Sequence, residues 1–588
     1  MRLQISKSKN AESFYVIRSV NEKGKRTNIV YEKLGTLKQV TEKANGKDPY
    51  QWAKEYVQEL TKKEKEQQEE SVVLELSTRS NTAESNRAYY EAGHVFLQKM
   101  FYRLGWNKLS GKLKEGTNHD LPLNGILQML LYTRIINPGS KKASWEAAKN
   151  YLPGVREERY QLHQVYRALD LFAEKTDLIQ ELVYKSTEKV FSRNTDVLYY
   201  DCTNFFFEIE EEDEFRRYGH SKENRPNPIV QMGMFIDGDG IPLAVSVFPG
   251  NQSEQKSMKP LEETILKDFD LSRFIVCTDS GLASRDNRIF NSRKERRYVV
   301  TQSLKTLSAP VQEWALEPKG WKNKEDRSGK LYDISKIDEL QYRDSIFYKE
   351  QTVDINGLPQ RFIVTYSVRS KDYQRKVRQR QIDRAVKTVT KHPGDMDHNR
   401  QTDYKRLIQM SFFTEEGEVS SVKQLNLDTE AIAREERFDG FYGVCTNLFA
   451  PSDEHPEGVD TLEILRINHM RWQIEDCFRD MKTEFRSRPV YLSRENRIKA
   501  HFLLCALSLI LLKYVEKSLR DKGFRDFSTE QLLEALRSFH MVHLKGFGYI
   551  PAFQPSSVLQ HLSEVFSLPI DAQIISDRQM KNFLSVSR

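Results

Sequence analysis

The feature that most constrains the fold is a run of strand-like segments that begins near residue 197. The segments "VLYYD", "IVQMGMFIDG" and "IPLAVSVFPG" follow one another, and "DGDG" between the last two is typical of a tight turn between antiparallel strands. A helix-like segment, "EQKSMKPLEETILKDF", then leads into "RFIVCTD". This order of three strands, a helix and a fourth strand predicts an α/β domain.

Three acidic residues stand out against this pattern. Asp201 ends the first strand, Asp279 ends the fourth, and Glu475 lies inside the helical stretch "RINHMRWQIEDCFRDMKTEF". A carboxylate at the end of a buried strand is held rigidly while its oxygens face solvent, and Mg²⁺ takes oxygen ligands from a few such groups. The three residues therefore predict a split carboxylate site for divalent metal.

The helical stretch carries the most specific pattern. At 100° per residue, Arg471 falls about 40° from Glu475, and Lys482 and Arg486 fall within about 20° of it. One reading is a solvated face with ordinary ion pairs. The narrow, mostly basic stripe around one glutamate favours a functional face instead. Trp472 lies on the other flank of this stripe, and we expect its ring to pack in the core rather than stack on a displaced base.

These residues and motifs resemble bacterial insertion-sequence transposases of the DDE class, in the subgroup with a tyrosine-arginine-glutamate-lysine signature helix. Arg471, Glu475 and Lys482 match the spacing of that signature, with three residues between the first two and six between the last two. Asn468 occupies the tyrosine position. The stretches "YGHSKENRPN", "GDGIPLAVSVFPGN" and "DSGLAS" are also similar to family members.

The resemblance implies a fold and a chemistry. The fold is a ribonuclease H-like catalytic core, in which Asp201, Asp279 and Glu475 hold two Mg²⁺ (or Mn²⁺) ions. The activity is cleavage at the ends of the element by phosphodiester hydrolysis and joining of the 3′-hydroxyl to target DNA. Arg471 and Lys482 would contact DNA phosphates. The partners are double-stranded DNA and a second copy of the chain, as a homodimer that bridges two ends.

Two further groups are candidates for DNA contact, the first from the resemblance and the second from its charge. His220 and Lys222 lie in the polar loop "GHSKENRPN", where the family match predicts that they meet the scissile phosphate. Within a later segment, "KDYQRKVRQRQIDRAVKTVTKH" reads as a very basic helix, and its residues Arg378 and Arg380 are predicted to contact DNA phosphates. The alternative for that helix is a solvated surface.

The length of 588 residues exceeds what one core supports, so several domains are expected. Residues 303–458 are predicted to be a largely β insertion into the catalytic core, with a hairpin whose turn lies near Asn356 and Gly357. The helical residues 86–195 either grip end DNA or serve as scaffold. The predicted ranges are 1–85 for a β-hairpin and charged helix, 86–195 for the helical domain, 196–302 for the first part of the core, 303–458 for the insertion, 459–520 for the second part of the core with the signature helix, and 521–588 for the C-terminal region.

Composition agrees with this assignment. The 91 Lys and Arg against 84 Asp and Glu give a net charge of +7, a modest excess whose placement matters more than its total. The five cysteines lack metal-type spacing and indicate reduced core residues of a cytosolic protein. The resemblance implies a cytoplasmic, nucleoid-associated location. The apolar run "FLLCALSLILL" is shorter than the roughly 20 residues that cross a bilayer, which predicts a buried helix and no membrane association. A ribonuclease H-like nuclease or resolvase, and an inactive transposase-derived DNA-binding protein, remain as alternatives.

Overall fold

The computed structural model describes residues 1–8, 11–22, 25–67, 87–116, 121–152, 160–355, 357–391, 404–413, 419–452 and 458–585. The chain divides into two units, residues 1–85 and residues 86–588. The six domain ranges given above stay predictions.

The described residues of the first unit form an antiparallel sheet covered by two helices. The sheet has the order β1-β2-β3, so the predicted hairpin is part of a larger sheet. Phe14, Val16 and Leu34 from the sheet pack with Val40 and Ala53 from the helices in a small core. Residues 68–70, the end of the predicted charged helix, lie outside the described residues. The elements are β1 (Arg2–Ser8), β2 (Ala11–Glu22), β3 (Lys25–Thr36), α1 (Leu37–Ala44) and α2 (Pro49–Gln67).

The second unit begins with a short strand and a series of helices. Ser140 begins one of these helices, because its side chain accepts a hydrogen bond from the backbone N–H of Ala143. The elements are β4 (Arg87–Glu91), α3 (His94–Arg103), α4 (Leu109–Lys114), α5 (Leu123–Ile136), α6 (Lys141–Ala147), α7 (Leu162–Glu174) and α8 (Thr176–Glu188). Nearly every residue of α5 is buried, which places this helix inside the core of the unit.

A mixed sheet follows, and it confirms the predicted order of three strands, a helix and a strand. Its first five strands lie in the order β7-β6-β5-β8-β9. The neighbours β5, β6 and β7 pair antiparallel, whereas β5, β8 and β9 pair parallel. The elements are β5 (Val197–Phe206), β6 (Ile229–Ile236), β7 (Pro242–Pro249), α9 (Met258–Asp268), β8 (Ile275–Thr278), α10 (Arg285–Phe290) and β9 (Arg297–Gln302).

The segment after β9 extends the same sheet. Beyond β9 the order continues β15-β12-β11-β10, so that nine of the described strands share one sheet. The predicted hairpin is present as β11 and β12, with Gly357 at φ +75°, whereas Asn356 lies outside the described residues. The elements are α11 (Ala309–Leu316), β10 (Lys322–Asn323), β11 (Phe347–Ile355), β12 (Leu358–Tyr366), α12 (Val368–Lys391), β13 (Ile408–Phe413), β14 (Val419–Leu427), α13 (Thr429–Glu436) and β15 (Phe441–Thr446).

The C-terminal part returns to the start of the unit, because β16 pairs with both β17 and β4. The elements are α14 (Thr461–His469), α15 (Trp472–Thr483), α16 (Glu495–Asp521), α17 (Thr529–Ser538), β16 (His540–Leu544), β17 (Gly548–Ala552), α18 (Ser557–Phe566) and α19 (Asp577–Ser585).

Helix α16 is the central helix of this unit. By length and composition it is the one described helix that could cross a membrane, but 89% of its most apolar window is buried inside the protein. Its apolar side chains share one core with those of α3, α5 and α7. The prediction of a buried helix is therefore confirmed. All five cysteines are buried and unbridged, as predicted.

Candidate active site

Asp201 and Asp279 lie side by side on neighbouring strands. The parallel register pairs Val197 with Ile275 and Tyr199 with Cys277, and two further residues along each strand bring Asp201 opposite Asp279. Adjacent strands are about 4.8 Å apart, and paired residues point to the same face. The two carboxylates therefore project together on the side of the sheet that carries Tyr199 and Cys277.

The predicted position of Asp201 is wrong in one respect. Asp279 directly follows β8, as predicted, but Asp201 lies inside β5 rather than at its end. The reason is that β6 continues to pair with β5 as far as Phe206, beyond the point where β8 stops. The strand β6 therefore pairs with β5 at Asp201, and β8, on the other side of β5, ends next to Asp201.

Backbone groups orient both carboxylates. Oδ1 of Asp201 accepts a hydrogen bond from the N–H of Cys202 at 2.7 Å, and Oδ1 of Asp279 accepts one from the N–H of Leu282 at 3.1 Å. Gly281 lies against Asp279, where a Cβ atom would stand 3.4 Å from Oδ1. These local contacts hold both side chains in place.

The electrostatics of the pair favour a bound cation. Burial raises the pKa of Asp201 to about 6; Lys222 opposes this shift, and the charge of Asp279 adds to it. Two carboxylates that repel each other in a partly buried place favour either a proton or a cation between them. Burial acts against the charge of Lys222, yet Asp201 and Glu254 raise the pKa of its ammonium.

Lys222 lies near Asp201, and its predicted contact with the scissile phosphate stays a prediction. Its Nζ donates to the carbonyl of Cys202 and lies 3.4 Å from Oε1 of Glu254. The loop is held to β5 by Asn204, whose side chain donates to the carbonyl of His220 at 3.0 Å. The His220 side chain itself is exposed.

The predicted signature helix is two helices rather than one. Helix α14 ends at His469 and α15 begins at Trp472, with Arg471 directly before it. Asn468, in the tyrosine position, is tied to the sheet because its Oδ1 accepts a hydrogen bond from the hydroxyl of Thr301 at 3.2 Å. The expectation that Trp472 packs in the core is wrong, since its side chain is 46% exposed at the first turn of α15.

Arg471 and Glu475 form an ion pair four residues apart, the contact that the solvated-face reading describes, and their roles in metal and DNA binding stay predictions. Nη1 of Arg471 lies 3.6 Å from Oε1 of Glu475, and the glutamate side chain is 60% exposed. The charge of Arg471 also lowers the pKa of Asp201 and that of the Cys277 thiol, although burial dominates both values. Arg471 is therefore close to both Glu475 and Asp201.

Glu475 does not form a cluster with Asp201 and Asp279. In the part of the chain that the structure describes, no three His, Cys, Asp or Glu side chains lie close enough together to hold a metal ion. Asp201 and Asp279 are adjacent, whereas Glu475 contacts Arg471. The metal triad stays a prediction.

Lys482 lies further along the same face of the sheet. Its Nζ is 3.5 Å from Oε1 of Glu223 and 5.4 Å from the ring centre of Phe205 on β5. Burial, and the charge of Lys222, lower the pKa of Lys482 to about 8, while Asp201 raises it. The lysine is thus a partly desolvated cation near the carboxylates.

Arg486 does not belong to the polar stripe, contrary to the helical-wheel prediction. Helix α15 ends at Thr483, and Arg486 has a left-handed backbone with φ +44°. The N–H of Ser487 donates to the carbonyl of Met481 at 3.1 Å, which holds the chain after Arg486 against the last turn of α15. Arg134 donates to the carbonyl of Phe485 at 2.9 Å at this end.

The two arginines predicted on the insertion helix differ. Arg378 is buried, and its guanidinium donates two hydrogen bonds to the carboxylate of Asp439. The prediction that Arg378 contacts DNA is therefore wrong, because its charge is used inside the fold. Arg380 is exposed on the same helix.

Sequence reasoning missed one residue of the site, Glu223. It pairs with both Lys482 and Arg488 and so links the polar loop to the end of α15. Its position next to Lys222 in "GHSKENRPN" was a usable signal, since a carboxylate in a basic loop needs cationic partners.

Comparison with known proteins agrees with this geometry. Residues 204–511 match the family model described as the transposase DDE domain, which is just over half of the chain. The match begins three residues after Asp201 and includes Asp279, Arg471, Glu475 and Lys482. No curated protein matches the chain.

Among solved structures, the chain is similar to a cryo-EM structure of the piggyBac transposase synaptic complex with hairpin DNA. The TM-score is 0.35 and the identity 9%, over 85% of this chain and 87% of that chain. A TM-score this low does not establish a shared fold. The family match is sufficient by itself: the chain belongs to the DDE transposases, a family of DNA-cleaving and DNA-joining enzymes that generally use divalent metal ions.

Proposed function

We propose that this chain is the transposase of a bacterial insertion sequence, in the subgroup with the tyrosine-arginine-glutamate-lysine signature helix. It binds the ends of its element, cleaves DNA there by phosphodiester hydrolysis, and joins the 3′-hydroxyl ends to target DNA. The observation that carries the proposal is the pairing of Asp201 with Asp279 on neighbouring parallel strands, beside Arg471 and Lys482.

We assign the catalytic core to the ribonuclease H-like fold. The strand order β7-β6-β5-β8-β9 supports this assignment. Along the chain, β5, β6 and β7 pair antiparallel, and β8 and β9 then run parallel to β5. Both aspartates come from adjacent central strands, and the glutamate comes from a helix much later in the chain. Function is argued from these residues, since a fold alone does not define an activity.

The donor set fits divalent metal. Two adjacent carboxylates, one with a raised pKa, are hard oxygen ligands whose mutual repulsion a cation would relieve. Two Mg²⁺ or Mn²⁺ ions held by Asp201, Asp279 and Glu475 would polarise the scissile phosphate and stabilise the departing 3′-oxygen. Glu475 is exposed, so exchanging its contact with Arg471 for a place beside the aspartates requires no opening of the core.

The cations around the carboxylates are assigned to the DNA backbone. Arg471 would contact a phosphate by two parallel hydrogen bonds once Glu475 is released, and Lys482 would act as a point charge. Lys222 lies between Asp201 and the polar loop and would meet the scissile phosphate together with His220. Arg380 and Arg486 are exposed and would contact phosphates further from the cut.

The partners follow from this activity. We propose double-stranded DNA, both element ends and target, and a homodimer that bridges two ends. The expected location is the bacterial cytoplasm, in association with the nucleoid.

A nuclease or resolvase with the same carboxylates is the second candidate, and an inactive DNA-binding descendant is the third. The basic groups along α15 favour a transposase over a simple nuclease, and the presence of all three acids disfavours an inactive protein. Incubation of the purified protein with its flanking end DNA and Mg²⁺, followed by mapping of the products, separates the three. A transposase gives cuts at the element ends and joined strands. Cuts without joining indicate a nuclease, and binding without cuts indicates an inactive descendant.

A further inference from the structure

A second cationic site lies beyond the C-terminal end of α15. A pocket of about 280 Å³ opens between the loop before α6 and the segment 486–492. Its lining includes four cationic side chains, and none of the described residues that line it is Asp or Glu. The cations are Arg134, Lys141, Arg486 and Arg488. Such a lining fits an anion.

Lys141 is the residue that most needs an anionic partner. The residue is only 4% exposed, and it lines the pocket together with Arg134. Burial and the neighbouring charge of Arg134 together lower the pKa of Lys141 to about 7. The amine is therefore only partly protonated at neutral pH in the empty pocket, and an anion bound beside it would stabilise the charged form.

Arg134 adds a second positive charge to the pocket. Its guanidinium is buried and donates to the carbonyls of Phe485 and Gly139, at 2.9 and 3.0 Å. These acceptors hold the arginine in place without cancelling its charge. The combined field reaches His501 on α16, because burial, Lys141 and Arg134 together lower the pKa of that imidazole well below its ordinary value. The histidine is therefore neutral, and the net charge of the pocket comes from its lysine and arginines.

The pocket is connected to the candidate active site by one carboxylate. Glu223 pairs with Arg488, which lines the pocket, and with Lys482, which lies over β5. The pocket is thus next to the catalytic face but uses different residues. A strand of nucleic acid that crosses the active site has its phosphates spaced along it, and one of them would reach this pocket.

We propose that this pocket is a phosphate-binding site, with Lys141 as the central ligand and the exposed Arg486 at its edge. The chemistry is that of a phosphate group, either of a DNA strand near the cut or of free phosphate. Only the DNA source rests on the function proposed above. Through Lys141, the N-terminal helical region would thus contribute a phosphate contact next to the catalytic face.

The test compares two adjacent lysines. Lys141→Met removes the buried ammonium, and Lys142→Met removes its exposed neighbour on the same helix. Thermal unfolding of the full chain is measured in inorganic phosphate and in chloride of equal ionic strength, without metal. We expect phosphate to raise the Tm of the wild type and of Lys142→Met by about 1–3 °C, and not that of Lys141→Met. In chloride, Lys141→Met should be at least as stable as the wild type, because a buried, partly protonated amine is lost.

A second arm identifies the source of the phosphate. Binding of a fluorescent end-DNA duplex is measured for the same variants without metal, and Lys141→Met should weaken it roughly 3- to 10-fold relative to Lys142→Met. Loss of the phosphate-dependent Tm shift with unchanged DNA affinity assigns the pocket to free phosphate. The proposal is overturned if Lys141→Met matches Lys142→Met in both measurements. Neither measurement involves cleavage, so the outcome is independent of whether the aspartates catalyse it.

Discussion

The α15 segment, with Arg471 directly before it, and helix α12 both carry cations that sequence reasoning assigned to DNA, and the structure uses these cations differently. On α15, Lys482 lies near the aspartates with a pKa lowered to about 8, and Arg471, directly before the helix, contacts an exposed glutamate. On α12, Arg378 is buried against Asp439, which lies 61 residues further along the chain. The basic composition of a helix therefore does not show which of its cations remain available to a ligand. That depends on carboxylates supplied from distant parts of the sequence.

The largest expected effect is at the carboxylates beside α15. Asp201→Asn, Asp279→Asn and Glu475→Gln should each reduce end cleavage by roughly 10³-fold or more, because a metal ligand is lost while the basic DNA surface remains. Gel assays of cleavage and of end binding measure the two effects separately. Asp286→Asn, an exposed carboxylate at the start of α10, is the matched control and should cleave normally. Normal cleavage by any of the three variants would remove that residue from the site.

The next effect concerns the buried arginine of α12. Arg378→Ala leaves Asp439 buried without its partner and should lower the free energy of unfolding by about 3 kcal/mol. Arg380→Ala, an exposed residue on the same helix, should change it by less than about 0.5 kcal/mol. Urea denaturation measures both. Equal stability of the two variants would show that the Arg378–Asp439 pair does not hold the fold and would reopen Arg378 as a DNA contact.

The lowered pKa of Lys482 predicts how DNA binding and folding stability change with pH. Its pKa is lowered to about 8 from an ordinary value of 10.5, so its charge is lost as the pH rises through 8. End binding by the wild type should weaken about 3- to 10-fold between pH 7 and pH 9 at constant salt, and that change should be absent in Lys482→Met. Folding stability should move the other way, rising between pH 8 and 10.5, since the folded state binds fewer protons there than the unfolded state. Lys267→Met is the exposed control, and an unaltered pH profile in Lys482→Met would show that this lysine does not touch DNA.

The smallest effect is expected at the exposed cation of α12. Arg380→Gln should weaken DNA binding uniformly across sequences and reduce the slope of log K against log salt by about 1, because one phosphate contact is lost. Fluorescence anisotropy over a series of salt concentrations measures the slope. If the slope is unchanged, α12 is only a solvated surface. In that case neither Arg378 nor Arg380 of α12 contacts DNA, unlike the cations of α15.

The parts of the site that were predicted correctly depend on local pattern. Alternating apolar residues indicated β5 to β8, and the residues that follow a strand located Asp279. The errors arose where distant contacts decide the structure. The helical wheel assumed one continuous helix, but the chain turns before Trp472, where Asn468 is bound to Thr301 of β9. The helical-wheel prediction also continued the helix beyond Thr483, where α15 ends, and so wrongly placed Arg486 on the polar stripe. The buried partner of Arg378 is likewise invisible to local pattern.

The most direct test of the central claim is metal binding by the two adjacent aspartates. Free Mn²⁺ is measured by electron paramagnetic resonance as it is titrated into the wild type, Asp201→Asn and Asp279→Asn, at pH 8 and at pH 5. The wild type should bind Mn²⁺ at pH 8 and much less at pH 5, because the raised pKa of Asp201, about 6, lets protons compete below that value. Both variants should lose this binding at pH 8. Mn²⁺ binding by either variant with wild-type affinity and pH dependence would contradict the assignment of Asp201 and Asp279 as the metal centre.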